Sequence, residues 1–149
     1  MQKLRVKKLH PDAVLPKYQS KGASGFDFVA VEDVRIGPGE TKVVSTGISL
    51  AIEEGFEVQV RPRSGLTLKT TLRVANTPGT IDSDFRGPVG IIMTNSLTIK
   101  DNKDVIVKKG DRIAQGVIVP VVQAEITEVD SLDETERGSG GFGSTGSKG

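Results

Sequence analysis

The chain has no cysteine, no tryptophan, one tyrosine and a single histidine, His10, in 149 residues. Without cysteine there is no disulfide, no thiolate nucleophile and no zinc site built on sulfur. One imidazole, beside Pro11 near the N-terminus, leaves neither a histidine-based triad nor a transition-metal site. His10 reads as a surface residue. Catalysis therefore falls to carboxylates, hydroxyls, lysines, backbone amides or a hard ion such as Mg²⁺. An excess of one charge is missing too: 20 Lys and Arg against 19 Asp and Glu give +1. So balanced a chain argues against bulk nucleic-acid binding. No apolar run approaches the roughly 20 residues of a membrane-spanning helix, and no signal-peptide pattern opens the chain. The expectation is a soluble cytoplasmic protein with neither a nucleic-acid nor a membrane partner.

What is present is strand and turn. Hydrophobic residues make up 36%, and there are 18 glycines. Phe56, Val58 and Val60 alternate with Glu57, Gln59 and Arg61, the period of a half-buried strand. Residues 4–7 alternate similarly, and 105–107, 113–119 and 121–129 are β-branched runs. Gly37-Pro38-Gly39, Glu54-Gly55, Thr77-Pro78-Gly79 and Lys109-Gly110-Asp111 punctuate them as turns. This spacing predicts an all-β fold: a jelly-roll-like barrel or sandwich of many short strands. One short helix is expected over Gly65 to Thr71, with Ser64 as its N-cap. The domain is expected to span residues 1–130. Acidic residues Asp130, Asp133, Glu134 and Glu136 then lead into a flexible Gly-rich lid over 131–149.

That tail, Arg137-Gly138-Ser139-Gly140-Gly141-Phe142-Gly143-Ser144-Thr145-Gly146, cannot build a core. Its glycines make ordering entropically expensive. Yet it carries an arginine to fork a phosphate, an aromatic to stack on a base and backbone amides free to surround an anion. The plain alternative is a disordered Gly/Ser end; the lone arginine and lone aromatic favour a segment ordered by ligand. A P-loop is excluded. Gly141 and Gly146 are correctly separated, but Ser147-Lys148 follow in the wrong order and no helix comes after them.

Four further segments are candidates. The stretch 74–88 reads as a β-hairpin with an acidic tip, where Asp82 either activates a water or merely forms the turn. Arg61-Pro62-Arg63-Ser64-Gly65-Leu66 puts cations beside a helix start, which is an anion site or an ordinary capped helix. Asp27 stands between Phe26 and Phe28 in a strand, odd unless it meets a cation, a water or an arginine. In Gly110-Asp111-Arg112-Ile113-Ala114-Gln115, strand alternation places Arg112 and Gln115 on opposite faces.

Taken in order, SGFDFVA, RPRSGL, NTPGTIDSDFRG, GDRIAQ and RGSGGFGSTG resemble the five motifs of the trimeric dUTPases. The resemblance runs from Ser24 to Gly146. It implies a jelly-roll homotrimer whose active sites draw on all three subunits, with the tail closing over them. The implied reaction is dUTP and water to dUMP and pyrophosphate. By the same resemblance Asp82 is the catalytic carboxylate, holding the attacking water in line with the α-phosphorus. Mg²⁺ would ride on the triphosphate, touched through water by Asp27. Arg63, Ser64, Gly65 and Gln115 would bind phosphate. Arg137, Gly143, Ser144 and Thr145 would hold the γ-phosphate, and Phe142 would stack on uracil. Asn76 with the backbone of Gly79, Thr80 and Ile81 would read uracil and deoxyribose.

One position departs from the family pattern: Phe85 stands where most members have tyrosine. Its bulk still opposes a ribose 2′-hydroxyl, without a phenolic contact. Two rival readings are a dCTP deaminase on the same fold and a trimeric nucleotide-binding regulatory protein. The first would need a glutamate about where this chain has Ile92. The second is opposed by motifs that are intact.

Overall fold

Strand alternation becomes burial. In a computed structural model that describes residues 3–142 and residue 144, Val89, Ile91, Met93 and Asn95 of one strand all point inward while the residues between them face out. Eleven strands form among the described residues: β1 (Arg5–Lys8), β2 (Lys17–Tyr18), β3 (Phe26–Val29), β4 (Val34–Ile36), β5 (Thr41–Ala51), β6 (Phe56–Arg61), β7 (Leu72–Val74), β8 (Gly79–Ile81), β9 (Pro88–Asn95), β10 (Val105–Val107) and β11 (Arg112–Pro120). They pair antiparallel into sheets ordered β1-β5-β9-β7, β2-β3-β11-β6-β8 and β10-β4. The two larger sheets share one core that includes Phe26, Phe28, Ile48, Leu50, Ile91 and Met93. Burying side chains of this size stabilises by roughly 1.5–3 kcal/mol each. The expected all-β, jelly-roll-like fold with one short helix is what the chain forms.

Three local expectations change. The helix α1 runs Ser64–Lys69, with Arg63 as N-cap and no side-chain cap hydrogen bond. Ser64 is thus its first residue and its hydroxyl is not spent on capping. The segment 74–88 is not a hairpin, because β7 pairs with β9 while β8 pairs with β6. Residues 75–78 carry the chain from one sheet to the other. The β-branched run 121–129 joins no sheet: Val121 N–H reaches Gly55 O at 2.8 Å, and beyond it Val122, Ile126 and Val129 are exposed. The run has strand character but no partner strand among the described residues. Farther on, the tail's hydrogen bonds among the described residues are local, such as Gly140 N–H to Arg137 O at 3.0 Å.

Candidate active site

The passage between sheets makes a cleft. Its volume is about 230 Å³, and its lining includes Asn76, Gly79, Thr80, Ile81, Asp82, Phe85 and Ile92. Alternation in β8 sets its wall: Gly79 and Ile81 are buried, Thr80 is exposed. Gly79 permits close packing, since a Cβ there would stand 3.1 Å from Asn76 Nδ2. Asp82, Ser83, Asp84 and Phe85 close a turn through Phe85 N–H to Asp82 O at 3.2 Å. Asp82 and Phe85 are therefore the two ends of one turn. The Asp82 carboxylate, unlike those of Asp27, Asp33 and Asp104, makes no hydrogen bond or ion pair among the described residues. It is exposed and also borders a second, more open cleft with Glu54, Glu57 and Arg86.

A second group of residues forms on the β3–β11–β6 sheet. Asp27, Gln115 and Arg61 lie side by side in register on three adjacent strands. Asp27 is 7% exposed, and its partners are arginines. Arg63 Nε is 2.8 Å from Oδ1 and Arg112 Nη1 is 3.1 Å from Oδ2. Arg63 Nη1 in turn donates to the Arg112 carbonyl at 3.0 Å. The guanidinium of Arg63 is thus tied at two nitrogens, and its third, Nη2, has no such tie. Gln115 Nε2 donates to Pro62 O at 2.9 Å, steadying the approach to α1. The expected opposite facing of Arg112 and Gln115 is overturned. A register shift between Arg112 and Ala114 inserts one residue into β11, and such a bulge re-aims the side chains that follow.

At the start of α1 the first N–H groups have no intrahelical partners. Ser64 and Gly65 there are exposed, and a Cβ on Gly65 would meet nothing within 4 Å. Neither protein packing nor a positive φ demands that glycine, so its bare surface is open to an anion.

Asn76, Gly79, Thr80, Ile81, Asp82 and Phe85 line one cleft. None of Asp27, Arg63, Ser64, Gly65 and Gln115 lines their cleft. In the tail, Arg137 Nε is turned back onto Gly140 O at 2.9 Å, and Phe142 is fully exposed with φ 48°. Ser144 N–H bonds Gly141 O at 3.0 Å, while Gly143 and Thr145 lie outside the described residues. Arg112 was not singled out as a site residue. Its contact with Asp27 depends on the bulge, which no residue type announces.

No cluster of three or more His, Cys, Asp or Glu side chains is placed to hold a metal among the described residues. Both oxygens of Asp27 already accept from arginine, though each retains a lone pair. The donor set fits an ion that keeps its waters and brings its own ligands, as Mg²⁺ does. It does not fit an all-protein cage.

A free carboxylate in a nucleoside-sized cleft, beside a separate cationic surface with bare backbone amides, equips a hydrolase for a phosphorylated small molecule. The comparisons narrow that class. The family model described as dUTPase matches residues 12–146. The deoxyuridine 5′-triphosphate nucleotidohydrolase of Nautilia profundicola is 56% identical over 144 residues, covering 97% of this chain and 99% of its own. That of Wolinella succinogenes is 55% identical, covering 97% and 94%. Among solved structures, the Staphylococcus bacteriophage 80alpha dUTPase with dUPNHPP aligns at TM-score 0.91 and 31% identity, over 99% of this chain and 100% of that one. A mutant dUTPase from phage phi11 of S. aureus, whose structure details the coordination of a structural Mg(II) ion, aligns at TM-score 0.81 and 26% identity, over 87% and 98%.

The chain belongs to the dUTPase family, and its activity is that of a dUTP diphosphatase. The deaminase alternative is not favoured, since the family model and the high-identity relatives are dUTPases.

Proposed function

We propose that one dUTP is gripped by residues from three copies of this chain, with Asp82 as the base. The observation that carries this is the separation just described. The nucleoside cleft with Asp82, the Arg63–Gln115 surface and the tail from Arg137 are each suited to one part of a nucleoside triphosphate, and among the described residues neither of the last two lines the cleft. A homotrimer with sites at its subunit junctions brings them together. It also gives the exposed apolar side chains of 122–132 a surface to leave water for. On this reading residues 1–130 are the folded domain and 131–149 the lid.

Within the cleft, Asn76 and the main chain of Gly79, Thr80 and Ile81 read the base. The Asn76 amide makes no hydrogen bond among the described residues and is free to pair. Fixed donors and acceptors reject cytosine, which presents a donor where uracil presents an acceptor and so strands buried groups unpaired. Phe85 faces the sugar. Arg63, Ser64, Gly65 and Gln115 of a second copy hold the phosphates. Arg137, Gly143, Ser144 and Thr145 of a third hold the γ-phosphate, while Phe142 covers uracil.

Asp82 accepts a proton from a water held in line with the α-phosphorus. The water oxygen bonds to phosphorus, the bond from phosphorus to the α,β-bridging oxygen breaks, and pyrophosphate departs. Such a base is worth roughly 10²–10⁴ in rate. Asp27, through water, would help hold a Mg²⁺ brought by the triphosphate, and the ion would supply neutralising charge for the leaving group. The cytoplasm is the location this reading assigns.

The test is product analysis. With Mg²⁺ the protein is expected to release pyrophosphate from dUTP and no ammonia from dCTP, and light scattering is expected to give the mass of three chains. Ammonia release, or a fully active monomer, contradicts the proposal.

A further inference from the structure

Gly87 is a glycine that the backbone does not require. Its φ lies outside the positive region occupied by Gly39, Gly47, Gly55, Gly110 and Gly138. Its neighbourhood does require it. A Cβ at Gly87 would stand 2.6 Å from Phe85 Cζ and 2.9 Å from Cε2, well inside the 3.5–4.0 Å of a favourable carbon contact. Phe85 lines the nucleoside cleft and Gly87 does not. The ring that lines the cleft therefore also lies against the bare Gly87 Cα.

The main chain on both sides of the ring is pinned. Ser49 Oγ donates to Gly87 O at 3.0 Å, and Thr46 Oγ1 donates to Val89 O at 2.6 Å. Phe85 N–H closes the Asp82 turn, and Arg86 Nη1 donates to Ser83 O at 2.6 Å and to Phe85 O at 3.0 Å. The ring itself is 44% exposed, so the core does not hold it. Its depth in the cleft is set by what it leans on.

We propose that Gly87 is the positioning residue of Phe85: its missing side chain lets the ring sit back, leaving room for a 2′-deoxyribose and none for a 2′-hydroxyl. The proposal rests on Phe85 facing the sugar. A methyl group at Gly87 displaces the ring by roughly 1 Å from its place in the cleft wall. Deoxynucleotide binding should then suffer even though neither residue touches a phosphate.

The experiment is steady-state kinetics with dUTP and UTP on four proteins: wild type, Gly87→Ala, Phe85→Ala and the double variant, with melting temperatures alongside. Gly87→Ala is expected to raise KM for dUTP about tenfold, the scale of one methyl-sized misfit in a pocket, with a smaller change in kcat. Phe85→Ala is expected to lower the dUTP/UTP ratio of kcat/KM by about tenfold or more. In the double variant the Gly87→Ala effect should vanish, because no ring remains to be displaced. If Gly87→Ala alone fails to fold and the double variant folds with the kinetics of Phe85→Ala, the contact is equally supported. An undiminished Gly87→Ala effect in the double variant overturns the positioning role. A dUTP/UTP ratio untouched by Phe85→Ala overturns the reading of Phe85 as the sugar wall.

Discussion

Arg63 Nε lies 2.8 Å from Asp27 Oδ1, and this contact aims the guanidinium. Asp27 also holds Arg112, and the Arg112 carbonyl returns to Arg63 Nη1, so three residues close a ring. Asp27→Asn turns an amide N–H₂ toward one of the two cations. Both arginines are partly solvated, with side chains 24% and 46% exposed, which limits the loss below that of a fully buried pair. The expected cost is about 2 kcal/mol in urea denaturation. KM for dUTP should rise more than kcat falls, since Arg63 loses its aim and Asp82 is untouched.

Asp82→Asn keeps the turn, because the bond that closes it uses the main-chain carbonyl. The proposed base is gone. Turnover of dUTP is expected to fall roughly 10²–10⁴-fold, while calorimetric binding of a non-hydrolysable dUTP analogue persists. Turnover near the wild-type rate removes Asp82 as the base.

Truncation after Glu136 deletes residues whose hydrogen bonds among the described residues are local. The melting temperature should be nearly unchanged. Most of the activity should disappear, because Arg137 and Phe142 no longer reach the ligand. A truncated chain with full activity makes the tail a bystander.

Gly116→Ala tests the core. A Cβ at Gly116 would stand 2.6 Å from Phe26 Cζ and 2.9 Å from Phe28 Cε2. Those rings are 1% exposed and packed edge-on to each other at 5.4 Å, so neither can swing aside as Phe85 can. Overpacking of this kind costs about 1–3 kcal/mol, readable as a lower urea midpoint at unchanged slope.

Three surface carboxyls set an acid limit. Lys109 Nζ, bonded to Asp12 at 2.6 Å, holds that carboxyl below its usual range. Lys108 Nζ and then the Lys109 N–H do the same for Asp33, and the Gly37 N–H and then Lys42 for Glu40. A carboxyl depressed in the folded state adds stability above its unfolded pKa and loses it as pH falls through the folded value. Lys109→Met should therefore destabilise more at pH 7 than at a pH acid enough to protonate Asp12 in the folded state as well. Added salt should shrink the difference at pH 7. An equal loss at both pH values contradicts the assignment.

The parts legible in sequence were those carried by local chemistry. Alternation at 56–61 gave a strand because Val58 and Val60 had to be buried. The turn at Asp82 and a helix start beside Arg63 were legible from their residue types. What escaped depended on distant pairing. The bulge that turns Arg112 toward Asp27 reflects the register of β11 against β3. The assignment of β7 and β8 to different sheets is decided by β9 and β6, far along the chain. The run at 121–129 has every strand-forming residue and no ladder, because β propensity names a surface that fits a neighbour without supplying one. The closeness of Gly87 to the Phe85 ring is likewise a matter of folding that no residue type announces.

The sharing of each site between subunits is tested most directly by mixing two inactive variants, Asp82→Asn and Arg63→Ala, unfolding them together and refolding them into hybrid trimers. If Asp82 of one copy serves the Arg63 surface of another, about one site in four carries both intact residues, and the mixture recovers about that fraction of wild-type pyrophosphate release. If each chain holds a complete site of its own, every chain in the mixture is defective, and activity stays at the level of the separate variants.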